Sequence, residues 1–213
     1  MSLTKVENIT FLTNETYILV FLRRGLEFKA GQYVSVSFED DPHSRRYAFY
    51  SGENDDTLEF LIREVTGGYL TPELKKIKIG DTVDIDRPMG KFLFDENHMD
   101  SKVVFVATGT GIAPFRSMIR TYPNIDYTII HGIRYGTETY GKDEYPTDRY
   151  ISCTSQDGKG DYHGRVTDYI QNTDFQQNTH FYLCGSSTMV SDVLDILKNK
   201  GFSREQIHRE VFF

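Results

Sequence analysis

The sequence predicts two domains: an antiparallel β-barrel over residues 1–97, then an α/β domain with a parallel, doubly wound sheet over residues 98–213. Three observations predict this. The first half alternates apolar and polar residues between short turns, as strands with one wet face do. The second half opens on a continuous apolar run, Val103-Val104-Phe105-Val106-Ala107, as strands covered on both faces do. Beyond that run, strand-like and helix-like stretches alternate, which favours a parallel sheet. A chain of 213 residues has room for two such domains.

The elements follow in order. Val34, Val36 and Phe38 share one strand face; Leu58, Phe60 and Ile62 repeat the pattern, as do Val83 and Ile85. Glu53-Asn54-Asp55-Asp56 and Gly80-Asp81 are turns. Thr71-Pro72-Glu73-Leu74 predicts one helical turn, with Thr71 as hydroxyl N-cap and proline at the first helical position. The polar stretch Asp95–Asp100 marks the domain boundary. Further strands are predicted at Tyr127–His131, Tyr150–Cys153 and Phe181–Cys184. Met189, Val190, Val193, Leu194 and Leu197 recur at three- and four-residue steps, and the helix they predict ends at Lys198 and Lys200 with Gly201 as C-cap.

Composition excludes several functions. Hydrophobic residues make up 38% and charged residues 26%, so the chain can bury cores and is not disordered. Lys and Arg number 24 against 31 Asp and Glu, a net charge of −7 that argues against nucleic acid. No apolar run approaches the ~20 residues that span a membrane. Cys153 and Cys184 have no neighbouring cysteine, so no zinc or iron–sulfur ligand pattern and no disulfide framework is present, and no metal site is predicted. His131 and His163 offer no ligand spacing. The N-terminal residues Met1–Glu7 carry no apolar signal core, which predicts a cytoplasmic protein.

Two motifs carry chemistry. Thr108-Gly109-Thr110-Gly111-Ile112-Ala113-Pro114 follows the buried strand directly. Its glycines let the backbone turn sharply and approach a ligand, and the helix beginning near Pro114 offers free N–H groups to a pyrophosphate. It is neither G-x-G-x-x-G nor a Walker A loop; its strand–loop–helix setting predicts dinucleotide binding. The second motif, Ser44-Arg45-Arg46-Tyr47-Ala48-Phe49-Tyr50-Ser51, is a strand with Arg45, Tyr47 and Phe49 on one face. An arginine fork there can clamp a phosphate while a ring packs on a flavin or ribose; a surface strand with snorkelling arginines is the plain alternative.

These segments come in a distinctive order. Gly31-Gln32-Tyr33, Arg45-Arg46-Tyr47-Ala48 with Ser51, Gly68-Tyr69-Leu70-Thr71 and Gly80-Asp81-Thr82-Val83 are followed by Gly90-Lys91-Phe92, the glycine loop, Tyr182-Leu183-Cys184-Gly185 and Glu210-Val211-Phe212. In that order, over nearly its whole length, the chain resembles the ferredoxin–NADP reductase family of flavin oxidoreductases.

The resemblance implies a site for FAD, with FMN as the alternative, and one for NAD(P)H. Arg45 and Tyr47 would hold the flavin phosphate and ring, with Ala48, Phe49, Ser51, Ile62, Arg63, Gly68, Leu70 and Thr71 around them. Thr71 would meet the pyrophosphate at its helix N-terminus. The family usually has Ser or Thr, whose hydroxyl meets flavin N5, where this chain has Ala48. Thr108, Gly109, Thr110, Gly111, Pro114, Gly185 and Met189 would line the nucleotide. Cys184 would lie beside the nicotinamide with Glu210, and Phe212 or Phe213 would stack on the flavin; a buried free thiol and a solvated glutamate are the plain alternatives. Arg134 and Arg165 match positions that bind the 2′-phosphate in bacterial members, while Ser155-Gln156-Asp157 replaces a Ser-Arg-Glu stretch. Two arginines of three favour NADPH, with NADH as the alternative.

The function implied is electron transfer between NAD(P)H and a one-electron carrier such as a separate ferredoxin or flavodoxin. Lys75, Lys76, Lys78, Arg87 and Lys91 would face an acidic carrier or simply solubilise that side. A reductase subunit of a larger complex, a free-flavin or small-molecule reductase, and a non-enzymatic binding module are the rivals.

Overall fold

The alternating stretches of the first half become six strands in the computed structural model, which describes residues 2–212. They are β1 (Ser2–Phe11), β2 (Thr16–Leu22), β3 (Tyr33–Ser37), β4 (Arg45–Ala48), β5 (Thr57–Arg63) and β6 (Thr82–Ile85), with helix α1 (Leu70–Lys76) before β6. Every ladder is antiparallel, in the order β4-β3-β6-β1-β2-β5. Val34, Val36, Leu58, Phe60, Ile62, Val83 and Ile85 enter the core as expected, while Phe38, just past β3, packs against it only partly buried. Tyr17, Leu19 and Phe21 of β2 join them by the same alternation. The Phe49 ring stacks on Phe28 at 3.7 Å between centroids, inside this core.

The sheet is not a closed barrel, which corrects one part of the expectation. β4 and β5 remain its two edges. β4 has four residues against seven in β5, and the chain crosses the gap by one backbone bond past the end of β4, Tyr50 N–H to Glu59 C=O at 2.8 Å. Thr71 is also corrected: it is not the N-cap. α1 begins at Leu70 without a side-chain cap. The turn before it captures the hydroxyl instead, since Thr71 Oγ1 accepts from Val65 N–H at 2.9 Å.

This first compact unit runs to Phe94 and also contains Ala113–Pro123, hence helix α2 (Ala113–Thr121). Arg116 of α2 is buried and anchors it. Its Nη1 donates to Tyr50 C=O at 2.7 Å and to Glu59 Oε2 at 2.9 Å, and its guanidinium lies 4.0 Å from the Tyr50 ring centroid. Arg120 pairs with Asp55 at 2.8 Å.

The second unit comprises Asp95–Ile112 and the described residues from Asn124 onward. Its strands are β7 (Lys102–Thr108), β8 (Asp126–Ile133), β9 (Tyr150–Thr154), β10 (Tyr162–His163), β11 (His180–Gly185) and β12 (Ile207–Val211). All pair in parallel, in the order β10-β9-β8-β7-β11-β12. Helices α3 (Val166–Gln171) and α4 (Ser187–Asn199) cover one face, where Val104, Val106, Phe181 and Leu183 meet Val190, Val193 and Leu197. Cys153 belongs to this core, and burial pushes its thiol pKa up to about 12. α4 is closed at both ends. Ser186 Oγ accepts from Met189 N–H at 3.3 Å. Gly201 takes φ +91°, so that Phe202 N–H reaches Leu197 C=O and Gly201 N–H reaches Lys198 C=O. Among the described residues no helix is long and apolar enough to cross a membrane.

Candidate functional site

In the first unit the arginine–tyrosine motif becomes β4 and the turn after it. Arg45 is exposed, and its Nη1 bonds only the neighbouring Ser44 C=O, at 2.8 Å, so the fork is available to an anion. Tyr47 lies against the core, and its hydroxyl is buried without a hydrogen-bond partner. Burial raises that hydroxyl's pKa, so it stays a neutral donor. An orphaned buried hydroxyl costs free energy and calls for a ligand to satisfy it. Tyr47 lies close enough to Tyr17 to add, after burial, to the raised pKa of that phenol, whose hydroxyl donates to Thr71 C=O at 3.1 Å.

Other flavin-side residues are positioned differently. Gly68 is confined: a Cβ there would sit 2.9 Å from Val65 O. Ala48 is buried and pairs with Tyr33. The Phe49 ring, Ile62 and Leu70 are core side chains. Ser51 Oγ accepts from Glu59 N–H at 3.2 Å, and Arg63 is held by Glu15 at 2.8 Å. Of the basic residues on this side, Lys75 pairs with Glu64 at 2.6 Å and Lys76 with Glu73 at 2.7 Å, leaving Lys78, Arg87 and Lys91 exposed.

In the second unit the strand order reverses between β7 and β11, and the carboxyl ends of these strands form the crevice where open α/β sheets take ligands. Glycine is required there twice. A Cβ on Gly111 would stand 2.8 Å from the Cys184 carbonyl carbon and 2.9 Å from Gly185 Cα. Gly185 has φ +145°, and a Cβ on it would lie 2.9 Å from Thr108 N. Without Cβ atoms, the glycine loop packs directly against the backbone at the end of β11. Thr108 Oγ1 accepts from Ser186 N–H at 3.0 Å, joining the two strand ends. Met189 is buried in the first turn of α4 and Thr110 lies in the 3-10 turn Gly109–Ile112; Pro114, buried in the first turn of α2, belongs to the first unit.

Sequence reasoning missed one residue that holds this loop. His131 is buried on β8, and its Nε2 lies 2.8 Å from Gly109 C=O. A carbonyl only accepts, so Nε2 carries the hydrogen and Nδ1 accepts from Tyr150 O–H at 2.6 Å. Burial lowers the ring's pKa to about 4, against a weaker raising effect of the Gly109 bond, and keeps it neutral. His131 thus pins the glycine loop to the sheet. Its partners lie far away in sequence, and no local pattern signals them.

The parallel register places Cys184 opposite Glu210 across β11 and β12. Cys184 is fully buried; burial, and then the Glu210 charge, hold its thiol well above the usual range. It is a neutral S–H, not a thiolate nucleophile. Phe212 N–H donates to Gly185 C=O at 2.8 Å, which seats the terminal strand at this edge. Phe213 lies outside the described residues.

Arg134, Ser155, Gln156 and Arg165 follow the carboxyl ends of β8, β9 and β10, where Ile133 pairs with Thr154 and Thr154 with His163. Gln156 N–H donates to Arg134 C=O at 3.0 Å, and Ser155 Oγ reaches Ile133 C=O at 3.3 Å. All four side chains are exposed along one sheet edge.

An antiparallel sheet carrying an arginine–tyrosine strand, with a parallel sheet carrying a glycine cradle, defines a flavin- and nicotinamide-dependent class of oxidoreductase. Residues 4–94 match the oxidoreductase FAD-binding domain and residues 105–195 the oxidoreductase NAD-binding domain. The chain belongs to the ferredoxin–NADP reductase family. It is 36% identical over 121 residues to the ferredoxin–NADP reductase of Pseudomonas aeruginosa, covering 54% of this chain and 47% of that protein. It is 27% identical to the toluate 1,2-dioxygenase electron transfer component of Pseudomonas putida, covering 97% of this chain and 66% of that protein. A ferredoxin NADP+ reductase from Neisseria gonorrhoeae, solved with bound FAD and NADP, shares the fold at TM-score 0.90 and 23% identity, covering 100% and 98% of the two chains. The chain spans less than two thirds of the length of curated relatives such as the dioxygenase components.

Proposed function

We propose that this chain oxidises NAD(P)H through FAD and hands the electrons singly to a ferredoxin or flavodoxin in the cytoplasm. The observation that carries this is the pairing of Cys184 with Glu210 at the strand edge against which the glycine loop packs through Gly111. When bound, the flavin accepts a hydride from reduced nicotinamide and releases electrons one at a time.

The chain's own residues bind and orient. Over residues 1–97, Arg45 holds the flavin phosphate and the Tyr47 hydroxyl satisfies itself on the flavin, beside the Gly68–Thr71 turn. Ala48 offers no side-chain donor, so either a backbone N–H serves flavin N5 or the surroundings of N5 are altered. Over residues 98–213, Thr108, Gly109, Thr110 and Gly111 cradle the nucleotide pyrophosphate, with Pro114, Gly185 and Met189 around it. Cys184 presents a neutral thiol to the nicotinamide, and Glu210 fixes the charge next to it. Arg134 and Arg165 meet a 2′-phosphate and favour NADPH, while Gln156 supplies hydrogen bonds without charge.

A second reading, a reductase subunit docked in a larger oxygenase system, is favoured by the dioxygenase electron transfer component among the relatives. Anaerobic mixing of the purified yellow protein with NADPH and NADH tests the first half of the proposal. Bleaching of the flavin band, then recovery on adding oxidised ferredoxin or flavodoxin, is the expected result. A colourless protein that takes up no added FAD would overturn it. Recovery only with a co-purifying oxygenase chain would select the subunit reading.

A further inference from the structure

We propose that His98, His180 and His208 form a binding site for one divalent transition metal of the zinc class, at the amino-terminal edge of the parallel sheet. His98 ends the 3-10 turn Glu96–His98, His180 opens β11 and His208 is the second residue of β12. The chain has six histidines, and the fold brings three of them from distant segments into one cluster. A ligand nitrogen from each lies within 4.8 Å of the other two.

The unsatisfied atoms point to a ligand. His180 Nδ1 and His208 Nε2 are buried without a hydrogen-bond partner. Two orphaned buried nitrogens in one cluster are costly, and a cation that accepts both lone pairs removes the cost.

The surroundings fit as well. His98 Nδ1 bonds the Tyr182 hydroxyl at 2.9 Å, and that hydroxyl accepts from Asp95 N–H at 3.1 Å. A metal-bound histidine is held by its other ring nitrogen in this way. The Asp95 carboxylate, 3.7 Å from His98 Nε2, places negative charge beside the cluster, and a water can complete the coordination. Three imidazoles with one carboxylate or water suit zinc, cobalt, nickel or copper far better than calcium or magnesium.

Tetrahedral coordination at roughly 2.0–2.1 Å brings ligand nitrogens to about 3.4 Å apart. The His98 and His180 rings, now stacked at 3.6 Å, must therefore swing about their side-chain bonds when the ion enters. The site lies about 13 Å along β11 from Cys184, four residues at roughly 3.3 Å each, so it is separate from the nucleotide edge. Its role is structural: it ties the Asp95–His98 segment to β11 and β12.

The test uses untagged, flavin-loaded protein stripped with a chelator and titrated with Zn2+ in a calorimeter. One ion per chain is expected, with affinity reduced by about tenfold or more in His180→Ala and His208→Gln, and reduced without loss of stoichiometry in Tyr182→Phe. Imidazole nitrogen shifts of the unaltered protein on Zn2+ addition provide a reading that needs no variant. Shifts confined to His98, His180 and His208 support the site. Absence of a stoichiometric ion, shifts at His43 or His163 instead, or unchanged affinity in the folded variants overturns it.

Discussion

Replacing His131 by Gln separates two effects that the buried ring combines. Glutamine places an amide N–H near the imidazole Nε2 position, so the bond to Gly109 C=O survives. The Tyr150 hydroxyl loses its His131 acceptor, at a cost of about 1–3 kcal/mol near neutral pH. The proton works in the opposite direction. In the fold the ring titrates at about 4, against an unperturbed 6.5. The unfolded chain therefore takes up the proton first. Stability from this residue is intact above about pH 6.5 and falls as the pH drops toward 4. At about pH 5 that loss amounts to about 2 kcal/mol in the unaltered protein and nothing in the variant. The other lowered histidines are present in both proteins and cancel. Urea unfolding of both at about pH 7 and about pH 5 should show the stability gap closing by about 2 kcal/mol. A gap that stays constant with pH would refute the neutral, buried tautomer, as would a measured His131 pKa near 6.5.

Three further outcomes are expected. Arg116→Met should destabilise the protein by about 3 kcal/mol in denaturant unfolding, because Glu59 and the Tyr50 carbonyl lose a buried donor; a loss below about 1 kcal/mol would show that the pair is solvated. Arg45→Ala should leave unfolding unchanged while weakening flavin binding by about 1.5–3 kcal/mol, measured by titrating the apoprotein; unaltered affinity would remove Arg45 from the site. Gln156→Arg should raise the NADPH-to-NADH ratio of kcat/KM by roughly ten- to a hundredfold, mostly through KM, and Arg134→Ala should lower it; ratios that do not move would place the adenosine end elsewhere.

Periodicity revealed the strands because each apolar face faces a core: Val34 and Val36 on β3, or Leu58, Phe60 and Ile62 on β5, are local statements about burial. Closure of the first sheet was not local. It depended on how far β4 could ladder along β5, which the alternation of either strand does not contain. Thr71 illustrates competition: Thr-Pro-Glu is a fair capping sequence, but the Val65 N–H took the hydroxyl. Cys184 and Glu210 were linked only through family resemblance, and their parallel register is what makes them neighbours. Arg116, His131 and the three clustered histidines left no trace in the sequence, since every partner is brought to them by long-range pairing.

The first unit is not a continuous piece of chain. Arg116, Arg120 and Phe115 arrive from residues 113–123, after the polypeptide has already left for β7, yet they close over Tyr50, Asp55 and Phe92. During synthesis the amino-terminal sheet therefore waits, with Glu59 and the Tyr50 carbonyl uncovered, until about thirty more residues have followed Phe94 out of the ribosome. A cut at the linker would leave the same surface bare for good. The boundary between the two matched sequence families therefore falls before α2, whereas the first compact unit includes it.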